Sequence, residues 1–250
     1  MMVLSVHWEK LQGLMRQNIG IWDKQAIEFA QNADAGFDHR LKFDASLCQN
    51  KLSSLRLRFP EYPWGAFAES PLSRFDSLGE TESVLSSNIF FWHLNAYLAC
   101  ANFIPRPGSV LEIGGGYGAL ARLFALAGTK YTIVDIPESL FFAEAFLRAN
   151  GIKNVNLVPY DNLERLDRYD LAISQASFQE MAQEIVNSWA GFLKARVKYL
   201  YSLNYLAGGP FGTGTVFPRE GWKVIREEVN PPVILEDISG TWLEAIYEPA

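Results

Sequence analysis

The stretch Val110-Leu-Glu-Ile-Gly-Gly-Gly-Tyr-Gly-Ala-Leu120 decides the fold class of this chain. Its first four residues are apolar except for Glu112, a pattern typical of a short buried strand. Four glycines follow within five positions, and a helical pattern starts at Ala119. A strand, a glycine turn and a helix in this order often hold a ligand, because glycine lets the backbone approach it closely.

Strand-like and helix-like segments alternate after this stretch. Strands are predicted at 109–113, 131–134, 155–158, 169–173 and 197–203, with helices at 117–126, 135–150 and 178–195 between them. This alternation indicates a parallel sheet with helices on both faces. No helical segment separates 222–229 from 242–247, so these two strands are expected to form an antiparallel closing hairpin. The sequence therefore predicts an α/β, Rossmann-like core over residues 105–250.

Residues 1–104 are predicted to form an N-terminal helical segment that caps the core and contributes to substrate binding. Helical spacing of apolar residues is present at 7–15 and 22–31, and 81–103 reads as one long helix. The connector 58–67 carries two prolines and four aromatic residues. Packing is the simpler explanation for these aromatic rings, and stacking on a sugar is the alternative.

Composition and charge exclude several classes of function. The chain has 250 residues, a net charge of −6 and a pI near 5.2, which argues against nucleic acid as a partner. The basic run Lys51–Arg58 is interpreted as a solvated face, with a small anionic ligand as the alternative. Two distant cysteines predict reduced thiols in a cytoplasmic protein. The most apolar window, Ile89–Cys100, is too short for a membrane span. The oligomeric state is left open.

The glycine loop is compatible with two kinds of cofactor. Gly114, Gly116 and Ala119 satisfy the dinucleotide pattern G-x-G-x-x-G/A. Asp135 lies at the expected position of a ribose-binding carboxylate, so an NAD(P)-dependent oxidoreductase is one hypothesis. Glu112 favours another ligand, because a carboxylate repels pyrophosphate and attracts a cation. S-adenosylmethionine carries an ammonium and a sulfonium and no phosphate.

The run Glu112-x-Gly114-x-Gly116-x-Gly118 resembles motif I of the class I S-adenosylmethionine-dependent methyltransferases. Asp135 matches the acidic residue that holds the ribose in that superfamily. Longer runs resemble the sugar O-methyltransferases, namely 110–118, 131–137, 179–181 and 201–205. The resemblance implies S-adenosylmethionine as cofactor and O-methylation of a sugar, a glycan precursor or another small hydroxylated acceptor. A non-catalytic binding protein with this fold is a third hypothesis.

The expected cofactor site is built from the ends of four predicted strands. Its residues are Glu112, Gly114, Gly115, Gly116, Tyr117, Gly118, Asp135, Ile136, Asp161 and Gln175. The glycines also suit a tight turn, and Gly118 is expected to clear space for the ligand. Asp135 has an alternative role with Glu138, since the two match a helix capping box. Asp161 is expected near the adenine, with a simple turn as the alternative.

His93 and Glu180 are the candidates for a general base. A sugar hydroxyl is a poor nucleophile near neutral pH, so proton removal assists the transfer. His93 lies just before the core, although a buried structural histidine would look the same. Glu180 also suits the first turn of a helix. No metal is predicted, because the acidic groups at 34–39 and 236–237 read as surface charge. The glycine-rich segment 207–215 is expected to be a mobile substrate loop.

Overall fold

The computed structural model describes residues 45–61, 79–81, 84–86, 88–207, 216–231 and 241–250. Several predicted features lie outside these residues and stay predictions. They are the helices at 7–15 and 22–31, most of the aromatic connector 58–67, the glycine-rich segment after residue 207, and the acidic groups at 34–39 and 236–237.

The described residues contain helices α1 (Ala45–Arg58), α2 (Asn88–Phe103), α3 (Ala119–Leu126), α4 (Pro137–Ala149) and α5 (Gln183–Lys194). The strands are β1 (Gly79–Thr81), β2 (Val84–Ser86), β3 (Ser109–Ile113), β4 (Lys130–Asp135), β5 (Val155–Pro159), β6 (Tyr169–Gln175), β7 (Val197–Ala207), β8 (Trp222–Val229) and β9 (Thr241–Pro249). Two 3₁₀ turns cover Leu163–Arg165 and Phe178–Glu180.

Seven strands form one sheet in the order β5-β4-β3-β6-β7-β9-β8. The first five of these are mutually parallel, and β9 runs antiparallel to both β7 and β8. The predicted Rossmann-like α/β core with an antiparallel closing pair is therefore confirmed. The strand order changes direction between β3 and β6. Open α/β sheets bind ligands beyond the carboxyl ends of the strands at such a switch point.

Each face of the sheet buries its own hydrophobic cluster. Side chains alternate between the faces along a strand, so Val110 and Leu111 of β3 enter different clusters. Val110 packs in the cluster that includes residues of α1, α2, α3 and α4, whereas Leu111 packs in the cluster that includes residues of α5. By the same alternation, Glu112 lies on the face that α2 and α3 cover.

The predicted helix over 81–103 is wrong at its N-terminal end. β1 and β2 pair as a short antiparallel hairpin, with Thr81 opposite Val84, and α2 begins only at Asn88. Strands of three residues are too short to show an alternating pattern, which is why the sequence did not reveal them. The apolar window is confirmed as a helix from Asn88 onward, and most of its side chains from Phe90 to Cys100 are buried.

The predicted helix over 178–195 is interrupted near Met181. A 3₁₀ turn ends at Glu180, and α5 starts at Gln183. The side-chain oxygen of Gln179 accepts a hydrogen bond of 2.8 Å from the backbone N–H of Tyr205. This bond ties the turn to β7 at a break where the sequence has neither proline nor glycine.

The basic run at the end of α1 is not a solvated face. Lys51 is only 2% exposed, and Arg58 forms ion pairs with Glu244 of β9 and, at 2.9 Å, with Glu228 of β8. Glu244 also accepts a hydrogen bond of 2.8 Å from the hydroxyl of Tyr201. The run is therefore an anchor that joins α1 to the last strands of the sheet.

Candidate functional site

The glycine loop between β3 and α3 uses its own backbone donors internally. Gly114, Gly116 and Gly118 have φ angles of 73°, 52° and 89°, which favour glycine. The N–H of Gly114 donates to the carbonyl of Val134 at 2.9 Å, and that of Gly118 to Gly115 at 2.9 Å. The N–H of Gly116 donates to Oδ2 of Asp135 at 3.0 Å. These three amides are therefore not directed at a phosphate group.

Two of the glycines are required by the protein's own packing. A Cβ atom at Gly114 would collide with the side chain of Ser177, which follows β6. A Cβ atom at Gly115 would lie 2.6 Å from Cγ2 of Ile133 in β4. Both contacts are far shorter than carbon atoms tolerate, so these positions hold the loop tightly against the neighbouring strand ends.

Gly118 does not clear space for a ligand as the sequence suggested. It is buried at the N-terminus of α3, and a Cβ atom there would lie 3.3 Å from the side chain of Leu147 in α4. The space that Gly118 leaves open is thus occupied by α4. Its observed role is to let α3 and α4 pack closely beside the loop.

Glu112 is a carboxyl group buried beneath the loop. It is 3% exposed, and its Oε2 accepts a hydrogen bond of 2.9 Å from the hydroxyl of Tyr131. Burial raises the pKa of Glu112 to about 8; the hydrogen bond from Tyr131 opposes this rise and the charge of Asp135 adds to it. Glu112 takes part in none of the ion pairs in the described segments. A nearby cation would lower this pKa by favouring the ionised form.

Asp135 lies at the end of β4 and closes the loop from the other side. Its Oδ1 accepts a hydrogen bond of 2.7 Å from the N–H of Ile136. Burial raises the pKa of Asp135 to about 6, against the effect of the bonds from Ile136 and Gly116. Ile136 is the N-cap of α4, Pro137 is the first residue of that helix, and no side chain caps it. The capping-box alternative for Asp135 is therefore wrong.

His93 and Gln175, chosen separately from the sequence, are in direct contact. Nδ1 of His93 lies 3.2 Å from Oε1 of Gln175, although the two residues are 82 positions apart. Gln175 is the last residue of β6, at the switch point, and Ala176 after it has a φ of 56°. The imidazole also meets the ring of Tyr117 edge-on, at 6.5 Å between centroids. Helix α2 therefore brings His93 to the glycine loop.

Burial lowers the pKa of His93 to about 4, and the hydrogen bond with Gln175 opposes this effect. The imidazole is therefore neutral near physiological pH. Nε2 of His93 and Nε2 of Gln175 are both buried, and neither has a hydrogen-bond partner among the residues that the structure describes. Buried polar atoms are nearly always paired, so these two atoms are candidates to bind a ligand or a water molecule.

The other predicted site residues lie around the same edge of the sheet. Tyr117 is buried and packs edge-on against Phe146 at 5.0 Å, and Ile136 is buried. Asp161 is exposed in the turn after β5, and the N–H of Tyr160 in that turn donates to the carbonyl of Asp135 at 3.0 Å. Glu180 is half-buried at the end of its 3₁₀ turn. Their roles toward a cofactor or acceptor stay predictions.

Tyr131 is a site residue that the sequence reasoning missed. It was interpreted only as part of a strand, yet its hydroxyl is the hydrogen-bond donor to Glu112. Tyr131 pairs with Val110 in the sheet, which places it on the same face as Glu112 two residues further along β3. An aromatic hydroxyl at that register was the available signal.

Two findings concern metals and membranes. Across the described ranges, no three acidic, histidine or cysteine side chains gather closely enough to hold a metal ion. No helix in the same ranges combines the length and the apolar character that crossing a membrane requires.

Comparison with known proteins supports the fold alone. The sequence matches no family model and no curated protein. Among solved structures, TehB from Haemophilus influenzae is similar with a TM-score of 0.52 and 16% identity over 63% of this chain and 62% of its own. PH0226 from Pyrococcus horikoshii OT3 is similar with a TM-score of 0.51 and 14% identity over 66% of this chain and 93% of its own. The mitomycin 7-O-methyltransferase MmcR has a TM-score of 0.48 and 16% identity over 63% of this chain and 54% of its own. At this low identity, only the α/β architecture shared with TehB and PH0226 is taken from the similarities.

Proposed function

We propose that this protein is an S-adenosylmethionine-dependent methyltransferase. The observation that carries the proposal is the pair of carboxyl groups, Glu112 and Asp135, on either side of the glycine loop. Three amides of this loop, those of Gly114, Gly116 and Gly118, already donate hydrogen bonds within the protein. The three bonded amides are unavailable to a pyrophosphate, and the two carboxyl groups repel it when they are ionised. The ammonium and sulfonium groups of S-adenosylmethionine gain from both carboxylates, because each carboxyl group becomes easier to ionise beside a positive charge.

Within this proposal each carboxyl group has a separate task. Glu112, beneath the loop, provides negative charge for the amino acid end of the cofactor. Asp135 accepts hydrogen bonds from Gly116 and Ile136, and its remaining acceptor capacity is proposed for the ribose hydroxyls. Asp161, in the turn held against Asp135, is the residue proposed for the adenine end. When bound, the cofactor supplies a methyl group on a sulfonium, which is already activated for transfer.

We further propose that the acceptor is a small hydroxylated molecule such as a sugar, as the sequence resemblance implies. His93 is the proposed proton acceptor: it is neutral, it lies beside the glycine loop, and its Nε2 has no partner in the described part of the chain. The hydroxyl proton passes to Nε2 as the oxygen attacks. Glu180 is the alternative base, because it follows the same strand end as Gln175.

Calorimetric titration of the full chain tests the proposal. S-adenosylmethionine and S-adenosylhomocysteine are expected to bind at one site per chain, and NAD and NADP are expected not to bind. The variants E112Q and D135N should each weaken binding of S-adenosylhomocysteine about tenfold or more, since each removes a charged partner. Binding of NAD without binding of S-adenosylmethionine would instead establish the oxidoreductase hypothesis.

Activity is measured separately, as release of S-adenosylhomocysteine in the presence of a panel of sugars and glycosides. H93A is expected to lose turnover while it retains cofactor binding. Loss of turnover in E180Q but not in H93A would move the role of base to Glu180. Cofactor binding with no turnover on any acceptor would favour the non-catalytic hypothesis.

A further inference from the structure

His93 and Gln175 each have one side-chain polar atom that is hydrogen-bonded and one that is not. One contact, of 3.2 Å, joins Nδ1 of His93 to Oε1 of Gln175. An amide oxygen only accepts hydrogen bonds, so with the Gln175 amide in this orientation Nδ1 carries the proton in the contact. A neutral imidazole has a single N–H, and Nε2 therefore presents a lone pair. Gln175 thereby fixes the tautomer in which Nε2 is a proton acceptor.

The second unused atom is the amide nitrogen of Gln175. It is buried, it has two N–H donors, and no described residue accepts a hydrogen bond from it. The two side chains thus offer a ligand one acceptor, Nε2 of His93, and one donor, Nε2 of Gln175. The two atoms belong to side chains that are hydrogen-bonded to each other.

We infer that His93 and Gln175 together bind two adjacent hydroxyl groups of the acceptor, so that the substrate class is a vicinal diol. One hydroxyl donates its proton to Nε2 of His93, and the neighbouring hydroxyl accepts a hydrogen bond from the amide of Gln175. A hydroxyl group can donate or accept a hydrogen bond. An ionised carboxylate or an ether can only accept, and an ammonium group can only donate. This inference deepens the proposed function and rests on it for the identity of the diol as methyl acceptor.

The inference gives Gln175 a different role from the cofactor contact that the sequence predicted. Gln175 becomes a residue that positions His93 and selects the acceptor. Two substitutions separate these tasks. Q175E keeps an oxygen that accepts from Nδ1 of His93 but removes the amide donor. Q175L removes both groups at similar volume.

The tautomer is tested by ¹⁵N NMR of the full chain labelled at histidine. The chain has only three histidines, so H93A assigns the His93 signals by their disappearance. The expected spectrum has a protonated Nδ1 and an unprotonated Nε2 in the wild type and in Q175E, and a mixture of tautomers in Q175L. A protonated Nε2 in the wild type overturns the inference.

Diol selectivity is tested on the same samples with 1,2-cyclohexanediol and, as the matched control, cyclohexanol, in the presence of S-adenosylhomocysteine. The diol is expected to shift the Nε2 signal of His93 at about three- to tenfold lower concentration than cyclohexanol, as one extra hydrogen bond provides. This difference should vanish in Q175E and in Q175L. Equal responses to the two probes in the wild type contradict the inference.

The outcomes for this inference and for the proposed function are distinguishable. Both NMR measurements report on His93 directly and need no turnover, and they can be repeated without S-adenosylhomocysteine. If the cofactor does not bind but the tautomer and the diol preference are found, the methyltransferase proposal fails and the diol site stands. If the cofactor binds and the diol preference is absent, only the diol site fails.

Discussion

Replacing Glu112 with glutamine should stabilise the ligand-free protein at alkaline pH. Burial raises the pKa of Glu112 from its ordinary value of 4.5 to about 8. One pKa unit corresponds to about 1.4 kcal/mol, so full ionisation of this group costs the folded state up to about 5 kcal/mol. The variant E112Q cannot ionise, and its amide oxygen can still accept the hydrogen bond from Tyr131.

The sign of the effect follows from proton linkage. Between the two pKa values, the folded state retains a proton on Glu112 that the unfolded state has lost. The free energy of unfolding therefore falls as the pH rises above 4.5 and levels off above about 8. Between about pH 6.5 and about pH 8.5, this group alone removes roughly 2 kcal/mol of stability. This pH range lies above the acidic values at which His93 becomes protonated. There the lowered pKa of His93 makes the free energy of unfolding fall as the pH falls.

Urea unfolding followed by tryptophan fluorescence measures this effect at several pH values. The stability of the wild type should decline relative to that of E112Q by roughly 2 kcal/mol over the range. Any constant difference from the altered hydrogen bonding of the amide cancels in this comparison. E184Q, on the exposed surface of α5, is the control and should follow the wild type. Parallel curves for the wild type and E112Q would refute the reasoning.

Three further predictions concern the cofactor, the anchor of α1 and the glycine loop. Binding of S-adenosylmethionine near neutral pH should release up to about one proton, mainly from Glu112, as shown by calorimetry in buffers of different ionisation enthalpy; E112Q should release less. R58M should lower the free energy of unfolding by about 3 kcal/mol or more because it leaves Glu244 buried without its cation, and the double variant with E244Q should recover part of the loss. G114A should cost more than G128A in urea unfolding, since both positions have positive φ but only Gly114 also meets a side chain; equal losses would show that backbone strain alone matters.

The core of the fold could be predicted because its signals are local. β3 and β4 are short runs of apolar and β-branched residues, bounded by Gly108, the glycine loop and Gly128. The hairpin of β1 and β2 could not be predicted, because three-residue strands carry no periodicity. The break before α5 also escaped prediction, because no proline or glycine marks it and the bond from Tyr205 to Gln179 is not a local signal.

The candidate site was predictable as a set of residues but not as a set of contacts. His93 and Gln175 were each selected for their chain position, and nothing in a sequence indicates that they bond across 82 positions. The anchor between Arg58 and Glu244 spans 186 positions and was mistaken for solvated charge for the same reason. Gly118 was misinterpreted because its neighbour Leu147 comes from a later helix.

The position of β9 in the sheet has a consequence for how the chain assembles. β9 is the last described strand in the chain, yet it lies between β7 and β8. During synthesis, β8 emerges before the strand that connects it to the sheet, and β7 has an open edge until then. Glu244, the partner that fixes α1, is on the same late strand. A ribosome stalled before residue 241 would therefore hold a chain with an exposed sheet edge and with Arg58 of α1 lacking its Glu244 partner, a form prone to aggregation.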